Sequence, residues 1–269
     1  MKIPKVIHQS HISEDSINEE SRENVSRLKE LNPDWEWIFW SDKDNRKLIA
    51  DHYSWFLPYY DEYKYPIQRA DAVRYFYMHR YGGIYLDLDM VPLKPIEELL
   101  LKVHKGEVQS LIHSNLPEVI LFEEYPNYFE LGKAIYNAIM ISQRGAKFWL
   151  RTHDLLKKEF RDQGETPKSS FIFQTTGPRL LKSALMDHII EKKRTEGISV
   201  LPYFYSNPTC LPSKADDSQM IIFNKMQTSE EFNQSTPDGP WRRLPPDLNE
   251  SHLLNSYFIH LGRGSWRKD

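Results

Sequence analysis

The chain of 269 residues has little cysteine, little net charge and no long apolar run, and each shortage excludes a class of protein. Its one cysteine, Cys210, excludes an internal disulfide and a zinc site built from several thiolates. A net charge of −3 gives no general affinity for nucleic acid. No run approaches the roughly 18 apolar residues of a membrane-spanning helix. Residues Met1 to Ile7 also lack the apolar core of a signal peptide. We therefore expect a soluble, cytoplasmic or otherwise intracellular protein without a transmembrane anchor.

The remaining composition is typical of an ordinary globular protein. Hydrophobic residues make up 40% of the chain and charged residues 27%. No linker or internal repeat divides the sequence, so we expect a single domain over residues 1–269. Aromatic residues reach 13%, which suits contact with sugar rings or nucleobases, although core packing accounts for most of them.

Hydrophobic patterning predicts strands that alternate with helices, which favours a mostly parallel sheet covered on both faces. The stretch 55–65 is aromatic and predicted to be irregular, and residues 206–248 are predicted to be mostly loop. The predicted strands are 5–9, 35–40, 82–89, 110–113, 119–122, 134–141, 171–174 and 257–260, and the predicted helices are 16–31, 42–49, 66–81, 146–160 and 178–192.

The most informative stretch is Gly82-Gly83-Ile84-Tyr85-Leu86-Asp87-Leu88-Asp89. Its alternation of apolar and polar residues predicts a half-buried strand with Tyr85, Asp87 and Asp89 on one face. Carboxylates at this spacing lie about 6–7 Å apart at their Cα atoms and repel each other. A divalent cation with oxygen ligands would relieve that repulsion.

A second copy of the motif, Asp42-Lys43-Asp44, shows that the bare pattern is weak evidence. Chance alone supplies roughly one Asp-x-Asp in a chain of this composition. We interpret this copy as an exposed loop and helix cap, because Lys43, Asn45 and Arg46 surround it. Only the context of Asp87 and Asp89 distinguishes them from it.

That context is the helix that begins at Pro66 and ends before Gly82. Asp71 and Arg74 share one face of this helix, which runs directly into the predicted aspartate strand. Packed antiparallel to the strand, the helix would bring both residues to the strand's carboxyl end, where open α/β sheets bind ligands. A carboxylate and a guanidinium there suit a ligand with hydroxyls and phosphate. Spacing alone leaves an ordinary surface ion pair as the alternative.

Three segments occur in order that together resemble a known family. They are Pro4-Lys5-Val6-Ile7-His8-Gln9, Arg69-Ala70-Asp71 followed by Arg74-Tyr75, and Gly82 through Asp89. The chain resembles the glycosyltransferases of family 32, whose sugar-binding region contains a DXD motif and which include inositolphosphoceramide mannosyltransferases. It is also similar to the glucosylating clostridial toxins. The resemblance implies a GT-A fold, which is Rossmann-like with a mixed central sheet and flanking helices. About residues 1–110 would bind the nucleotide sugar, and about 111–269 would form the acceptor side with a closing C-terminal tail.

The resemblance also implies a nucleotide-sugar donor, Mn²⁺ or Mg²⁺, and retention of the anomeric configuration. Asp87, Asp89 and His260 would hold the metal, while Asp71 and Arg74 would contact the donor sugar, with Arg74 also near the diphosphate. Thr176-Gly177-Pro178 is either part of the site or simply a helix start. The implied catalytic residues are Asp71, Arg74, Asp87, Asp89 and Asn137, and the implied donor-binding residues are Ile7, His8, Gln9, Asp71, Arg74, Tyr85, Asp87, Ser265 and Trp266.

The donor and acceptor are less defined. The toxin-like site pattern favours UDP-glucose, and GDP-mannose is the next candidate. The acceptor would be a hydroxyl group of a glycan, lipid or protein, which we expect residues 206–248 to select.

Two other classes of protein fit part of the sequence. A phosphohydrolase of the haloacid-dehalogenase type would use Asp87-Leu88-Asp89-Met90-Val91 as its nucleophile strand and Asp216-Asp217, near Lys214, as its acidic pair. That strand normally opens the fold, whereas here a long segment precedes it. A non-enzymatic carbohydrate-binding protein would explain the aromatic residues but not the paired carboxylates. Phosphate release would indicate the hydrolase, and sugar binding without nucleotide binding would indicate the binding protein.

Overall fold

The computed structural model describes residues 2–124, 134–192, 197–207 and 254–260. The strands are β1 (Val6–Ser10), β2 (Glu36–Trp40), β3 (Gly83–Leu86), β4 (Met90–Pro92), β5 (Val119–Glu124), β6 (Ala134–Ser142), β7 (Ile198–Leu201) and β8 (Phe258–His260). The helices are α1 (Glu19–Leu31), α2 (Asp42–His52), α3 (Leu57–Glu62), α4 (Pro66–Arg80), α5 (Ile96–Lys105), α6 (Phe148–Lys158), α7 (Lys168–Thr175) and α8 (Pro178–Lys192). Within this part of the chain, every helix is too short or too polar to span a bilayer.

A six-stranded sheet in the order β2-β1-β3-β6-β5-β7 forms the centre of the fold. Strand β6 runs antiparallel to both of its neighbours, while β1 pairs in parallel with β2 and β3, and β5 pairs in parallel with β7. Strands β4 and β8 form a separate antiparallel pair. The sheet is therefore mixed, with β6 as the exception to the predicted parallel arrangement.

Hydrophobic clusters cover both faces of the sheet, as the strand–helix alternation predicted. Residues of α4, α6 and α8 pack on one face, and residues of α5 pack on the other. The two faces of β3 show this division, because Tyr85 belongs to the first cluster and Ile84 and Leu86 belong to the second. A helix layer on each side shields the strands from water, so their backbone hydrogen bonds lie in the interior.

The turn between α4 and β3 requires glycine at both of its positions. Gly82 and Gly83 have φ angles of +67° and +89°. A Cβ atom on Gly82 would lie 2.5 Å from the backbone nitrogen of Arg144, and one on Gly83 would lie 2.3 Å from the carbonyl oxygen of Val6. This tight turn reverses the chain, so the first turns of α4 lie over the carboxyl end of β3, as predicted.

The prediction that the two aspartates lie on a strand was wrong. Strand β3 ends at Leu86, and a turn follows in which the Met90 amide donates to the Asp87 carbonyl at 3.1 Å. The predicted half-buried strand was also wrong, since all four residues of β3 are buried. The polar positions of the pattern mark a buried tyrosine and a turn, because the sheet is covered on both faces.

The second Asp-x-Asp copy is exposed and lies in the first turn of α2, which confirms its predicted exposure but not the predicted loop or the predicted cap at Asp42. The capping residue is Ser41 rather than Asp42. The Asp44 amide donates to the Ser41 hydroxyl at 3.2 Å, and the Asp44 carboxylate accepts from the Ser41 amide at 3.1 Å. This reciprocal arrangement is a capping box.

Several other element predictions need correction. Residues 171–174 belong to α7 rather than to a strand, because Phe171, Ile172 and Thr175 form one buried helical face. The stretch 55–65 contains α3, and residues 110–113 contribute only an isolated bridge between Ile112 and Val200. The patterning also did not predict α5 or β7. Nearly all of the predicted loop at 206–248 lies outside the described residues.

Candidate active site

The turn after β3 and the end of β8 bring together Asp87, Asp89 and His260. Each offers one ligand atom, and these three atoms lie within 4.8 Å of one another. His260 is opposite Met90 in the β4–β8 register, so the strand pair carries its ring to the turn. His260 Nε2 lies 3.0 Å from Asp89 Oδ1. The structure thus assembles the three predicted metal ligands, although their role as ligands stays a prediction.

The donor set of this cluster suits Mn²⁺ or Mg²⁺, since carboxylate oxygens are hard ligands and Mn²⁺ also accepts an imidazole nitrogen. The side chains of Asp87, Asp89 and His260 remain 27%, 21% and 19% exposed, so the cluster can be reached from solvent. Burial raises the pKa of Asp87, and the charge of Asp89 raises it further, against the opposing effect of Arg74. A bound cation would favour the ionised form of both carboxylates.

Arg74 connects this cluster to a second group of polar residues. Its Nη2 lies 3.0 Å from Asp71 Oδ1, and its Nη1 lies 3.3 Å from Asp87 Oδ1. Its Nη1 also donates to the Asn137 carbonyl at 2.9 Å. The side chains of Arg74 and Asp71 are only 5% and 8% exposed. The alternative of an ordinary surface ion pair was therefore wrong, because this pair is buried and shared among three elements.

The Arg74 side chain remains a cation in this setting. Burial alone would lower its pKa, but Asp87, Tyr85 and Asp71 together raise it above the ordinary value. Its guanidinium carbon also lies 4.7 Å from the centre of the Tyr85 ring. The Tyr85 hydroxyl donates to Asp87 Oδ1 at 2.6 Å. Burial raises the pKa of Tyr85 well above its ordinary value, so the phenol stays protonated and serves as a donor.

Asp71 is held from several directions. Asn137 Nδ2 donates to its Oδ1 at 3.2 Å, and the Thr176 hydroxyl donates to its Oδ2 at 3.4 Å. A Cβ atom on Gly177 would lie 3.0 Å from the Phe173 Cα atom and 3.4 Å from Asp71 Oδ2. The segment that precedes α8 therefore packs directly against Asp71. Burial raises the pKa of Asp71 to about 6, although Arg74 lowers it.

His8, on strand β1, connects β2 to the glycine turn that precedes β3. His8 accepts from Trp40 Nε1 at 3.1 Å through Nδ1, and its Nε2 donates to the Gly82 carbonyl at 2.9 Å. Burial lowers the pKa of His8 to about 4, so its ring is neutral at pH 7. Ile7 is a core residue. The predicted contacts of Ile7 and His8 with a nucleotide stay predictions.

Gln9, the third predicted nucleotide contact on β1, secures the aspartate turn. Its amide donates to the Asp87 carbonyl at 3.4 Å, and its Oε1 accepts from Trp37 Nε1 at 2.8 Å. Gln9 is itself buried. Its side chain therefore connects β2 to the backbone of the predicted metal site, and its contact with a nucleotide stays a prediction.

Sequence reasoning missed Tyr136, whose hydroxyl forms a hydrogen bond with His260 Nδ1. The available signal was its position beside Asn137 on a predicted strand. Because neighbouring side chains of a strand point to opposite faces, Tyr136 can reach a part of the site that Asn137 does not. Ser265 and Trp266 lie outside the described residues. The acidic pair of the phosphohydrolase alternative, Asp216 and Asp217, lies outside them as well.

Comparisons of the sequence confirm the predicted resemblance. Residues 18–105 match the family model described as a glycosyltransferase sugar-binding region containing a DXD motif. Mannosyl phosphorylinositol ceramide synthase SUR1 of Saccharomyces cerevisiae is 47% identical over 87 residues, covering 32% of this chain and 22% of that protein. Inositol phosphoceramide mannosyltransferase 3 of Schizosaccharomyces pombe is 46% identical over 101 residues, covering 36% of this chain and 27% of that protein. The matches thus span about a quarter of the length of these curated relatives.

Comparison of the structure confirms the fold. The solved structure titled PaToxG glycosyltransferase superposes with a TM-score of 0.51 at 17% sequence identity, over 95% of this chain and 89% of that one. At this identity the likeness concerns the fold alone. The predicted α/β fold of the GT-A type, with a mixed central sheet and flanking helices, is therefore confirmed.

Proposed function

We propose that the protein is a metal-dependent, retaining glycosyltransferase that moves a hexose from a nucleotide sugar to a hydroxyl group of an acceptor. One observation carries the proposal. The cluster of Asp87, Asp89 and His260 lies directly beside the buried network of Asp71 and Arg74. In a nucleotide sugar the diphosphate, which a metal can coordinate, is covalently joined to the sugar ring, so this donor needs adjoining sites for both.

Asp87, Asp89 and His260 would hold Mn²⁺ or Mg²⁺. The bound cation would supply Lewis-acid stabilisation of the negative charge that develops on the departing diphosphate. Arg74 supplies a second positive charge. Its contacts with Asp71, Asp87 and the Asn137 carbonyl fix this charge in place before the donor binds. A group held in this way reorganises little during the reaction, which is the condition for strong electrostatic stabilisation.

Asp71 and Asn137 would hold the donor sugar. Asp71 is ionised above its pKa of about 6, and its oxygens can accept hydrogen bonds from sugar hydroxyls. Asn137 and Thr176 both contact this carboxylate and therefore fix its orientation. Because Arg74 joins Asp71 to Asp87, the sugar would lie at a set distance from the metal, which aligns the bond to be broken.

The relatives bear on the choice of sugar. The sequence pattern favoured UDP-glucose, with GDP-mannose next. The names of the curated relatives describe mannosyl transfer, and these proteins are 46–47% identical to this chain over 87 to 101 residues. We therefore place mannose first and keep glucose as the second donor. The same names favour an acceptor hydroxyl on a phosphoinositol-bearing lipid over one on a glycan or a protein.

A thermal-shift screen tests the proposal. Purified protein is heated with GDP, UDP, GDP-mannose or UDP-glucose, each with and without Mn²⁺ or Mg²⁺. A ligand that binds only the folded state raises the melting temperature by mass action, so we expect one nucleotide to raise it only when the metal is present. No shift with any nucleotide would overturn the proposal.

Turnover assays separate the proposal from its alternatives. Slow hydrolysis of the preferred nucleotide sugar, with the released sugar first in the donor's anomeric form, supports a retaining transferase. Release of phosphate from a phosphomonoester without nucleotide binding would indicate the phosphohydrolase. Sugar binding without nucleotide binding would indicate the non-enzymatic binding protein.

A further inference from the structure

Strand β6 contacts both halves of the site through two consecutive residues. Asn137 extends from one face of the sheet and donates to Asp71 at 3.2 Å. Tyr136 extends from the other face, where it belongs to the second hydrophobic cluster, and its hydroxyl contacts His260 Nδ1. Alternation of side chains along a strand places neighbours on opposite faces, so one strand can support both sites.

We propose that Tyr136 is a positioning residue that orients the His260 imidazole for metal binding. This inference rests on the proposed function and adds a residue to it. The Tyr136 hydroxyl holds Nδ1, which leaves Nε2 directed at Asp89 Oδ1, 3.0 Å away. His260 can present only one ring nitrogen to the cluster, and the hydrogen bond to Tyr136 determines which one.

The packing around Tyr136 makes it a rigid support. Only 6% of its surface is exposed, and its ring meets the His260 ring edge to face, with centroids 5.2 Å apart at 75°. The His260 backbone is also fixed, because it pairs with Met90 and its amide donates to Asn207 Oδ1 at 3.3 Å. Rotation of the imidazole about its side-chain bonds is therefore the freedom that remains, and the Tyr136 hydroxyl restricts it.

A hydroxyl is chemically suited to this position because it both donates and accepts hydrogen bonds. It can pair with Nδ1 whether or not that nitrogen carries a proton. When Nε2 offers its lone pair to a cation, the neutral ring carries its proton on Nδ1, which then donates to the Tyr136 oxygen. Partners of this kind around a metal-binding histidine typically change metal affinity by roughly 10- to 100-fold.

The test measures Mn²⁺ binding in the absence of any donor. Tyr136→Phe retains the buried ring and removes only the hydroxyl. The signal of free Mn²⁺ in electron paramagnetic resonance gives the Kd directly, and we expect Tyr136→Phe to raise it about tenfold or more. An unchanged Kd would overturn the inference.

Tyr53→Phe is the matched control. Tyr53 also forms a hydrogen bond with a histidine, from its hydroxyl to His79 Nδ1 at 2.8 Å, on α4 and away from the cluster. We expect Tyr53→Phe to leave the Kd for Mn²⁺ unchanged. An equal loss of affinity in both variants would show a general effect of removing a hydroxyl and would overturn the inference.

A double-mutant cycle with His260→Ala shows whether Tyr136 acts through His260. In the His260→Ala background, adding Tyr136→Phe should not change the remaining Kd, whereas a separate structural role would weaken binding again and overturn the inference. If Tyr136→Phe does not fold, nitrogen NMR of histidine-labelled wild type with Mg²⁺ decides. A protonated Nδ1 on His260 supports the inference, and an unprotonated one overturns it.

These outcomes also distinguish the inference from the proposed function. Wild-type protein that binds no Mn²⁺ or Mg²⁺ overturns the proposed function together with the inference. Wild-type protein that binds Mn²⁺ no more tightly than Tyr136→Phe overturns the inference alone.

Discussion

Arg74 and Asp87 form an ion pair across the end of β3, with Nη1 3.3 Å from Oδ1. One residue lies on α4 and the other on the turn that follows β3. Since Arg74 also contacts Asp71 at 3.0 Å, a single cation joins the predicted sugar-binding carboxylate to a predicted metal ligand. A change at Arg74 should therefore disturb both halves of the site.

We predict that Asp89→Asn abolishes sugar transfer and donor hydrolysis while leaving the protein folded. Asparagine keeps the size of the side chain but removes the negative charge that a divalent cation requires. The nucleotide-dependent rise in melting temperature with Mn²⁺ should disappear as well. Activity assays and thermal melting check both expectations.

Asp42→Asn is the matched control for this change. Asp42 belongs to the second Asp-x-Asp copy and is exposed at the start of α2. Activity and nucleotide response should equal those of wild type. Retained transfer in Asp89→Asn would contradict the metal assignment.

We predict that Arg74→Ala destabilises the protein by about 3–5 kcal/mol, because it leaves a buried carboxylate without its charged partner. Arg74→Lys should fold but lose transfer, since an ammonium group cannot contact Asp71, Asp87 and the Asn137 carbonyl together. Urea unfolding measures the free energy of unfolding, and turnover of the donor measures transfer.

The pair of Arg46 and Asp61 is a suitable control because it is also bidentate but lies at the surface. Arg46 Nε and Nη2 donate to the two Asp61 oxygens at 2.9 and 2.7 Å, and the side chains are 56% and 39% exposed. Arg46→Ala should change stability and turnover little, since solvent screens exposed pairs. Equal losses in Arg46→Ala and Arg74→Ala would show that burial is not the cause.

We predict that acid weakens the fold partly through His153. Burial lowers the pKa of this histidine from 6.5 to about 3, and its ring stacks on Phe76 with centroids 3.9 Å apart. The folded-state pKa lies below the unfolded one, so the stabilisation is complete above pH 6.5 and is lost as the pH falls from 6.5 towards 3. Within that window the group contributes a slope of ~1.4 kcal/mol per pH unit.

The variant His153→Phe removes this titration and keeps an aromatic ring against Phe76. Its free energy of unfolding, measured by urea at several pH values, should fall less steeply with acid than that of wild type. His52→Phe, an exposed change at the end of α2, should keep the wild-type slope. Equal slopes in wild type and His153→Phe would contradict the prediction.

We predict that Gly83→Ala destabilises the protein by about 3 kcal/mol or more, since strain at positive φ and overpacking add. The new Cβ atom would lie 2.3 Å from the Val6 carbonyl oxygen, at a φ of +89°. Gly164→Ala isolates the strain at positive φ, because Gly164 has a φ of +54° and an added Cβ atom would have no atom within 4 Å. Its cost should be about 1–2 kcal/mol. Similar urea midpoints for both variants would show that the close approach is unimportant.

Helix α4 shows how far local sequence predicts the fold. Pro66 begins the helix and Gly82 ends its pattern, as expected from backbone preferences that act within one or two turns. The shared face of Asp71 and Arg74 follows from the same helical period. The buried ion pair between them does not, because burial depends on the strands and helices that cover the pair.

The neighbourhood of Asp87 shows where local patterns fail. Alternating polarity predicted a continuous strand, but β3 ends at Leu86. The Asp87 amide still donates to the Ala138 carbonyl of β6 at 2.9 Å, and the chain then turns. A pattern of period two cannot distinguish a strand residue from a turn residue that follows at the same spacing. Similarly, Phe171 and Ile172 lie in α7, since a short apolar run has no period of its own.

By itself, the sequence determined the helix with Asp71 and Arg74, the glycine turn after it and the resemblance that named His260. Only the tertiary structure decided that Arg74 is buried between two carboxylates, that the aspartates lie on a turn, and that Tyr136 holds His260. The physical reason is the distance along the chain over which each kind of interaction acts. Backbone preferences and hydrophobic periods act over a few residues, whereas His260 meets Asp89 only because β8 pairs with β4, which lies far away in the chain.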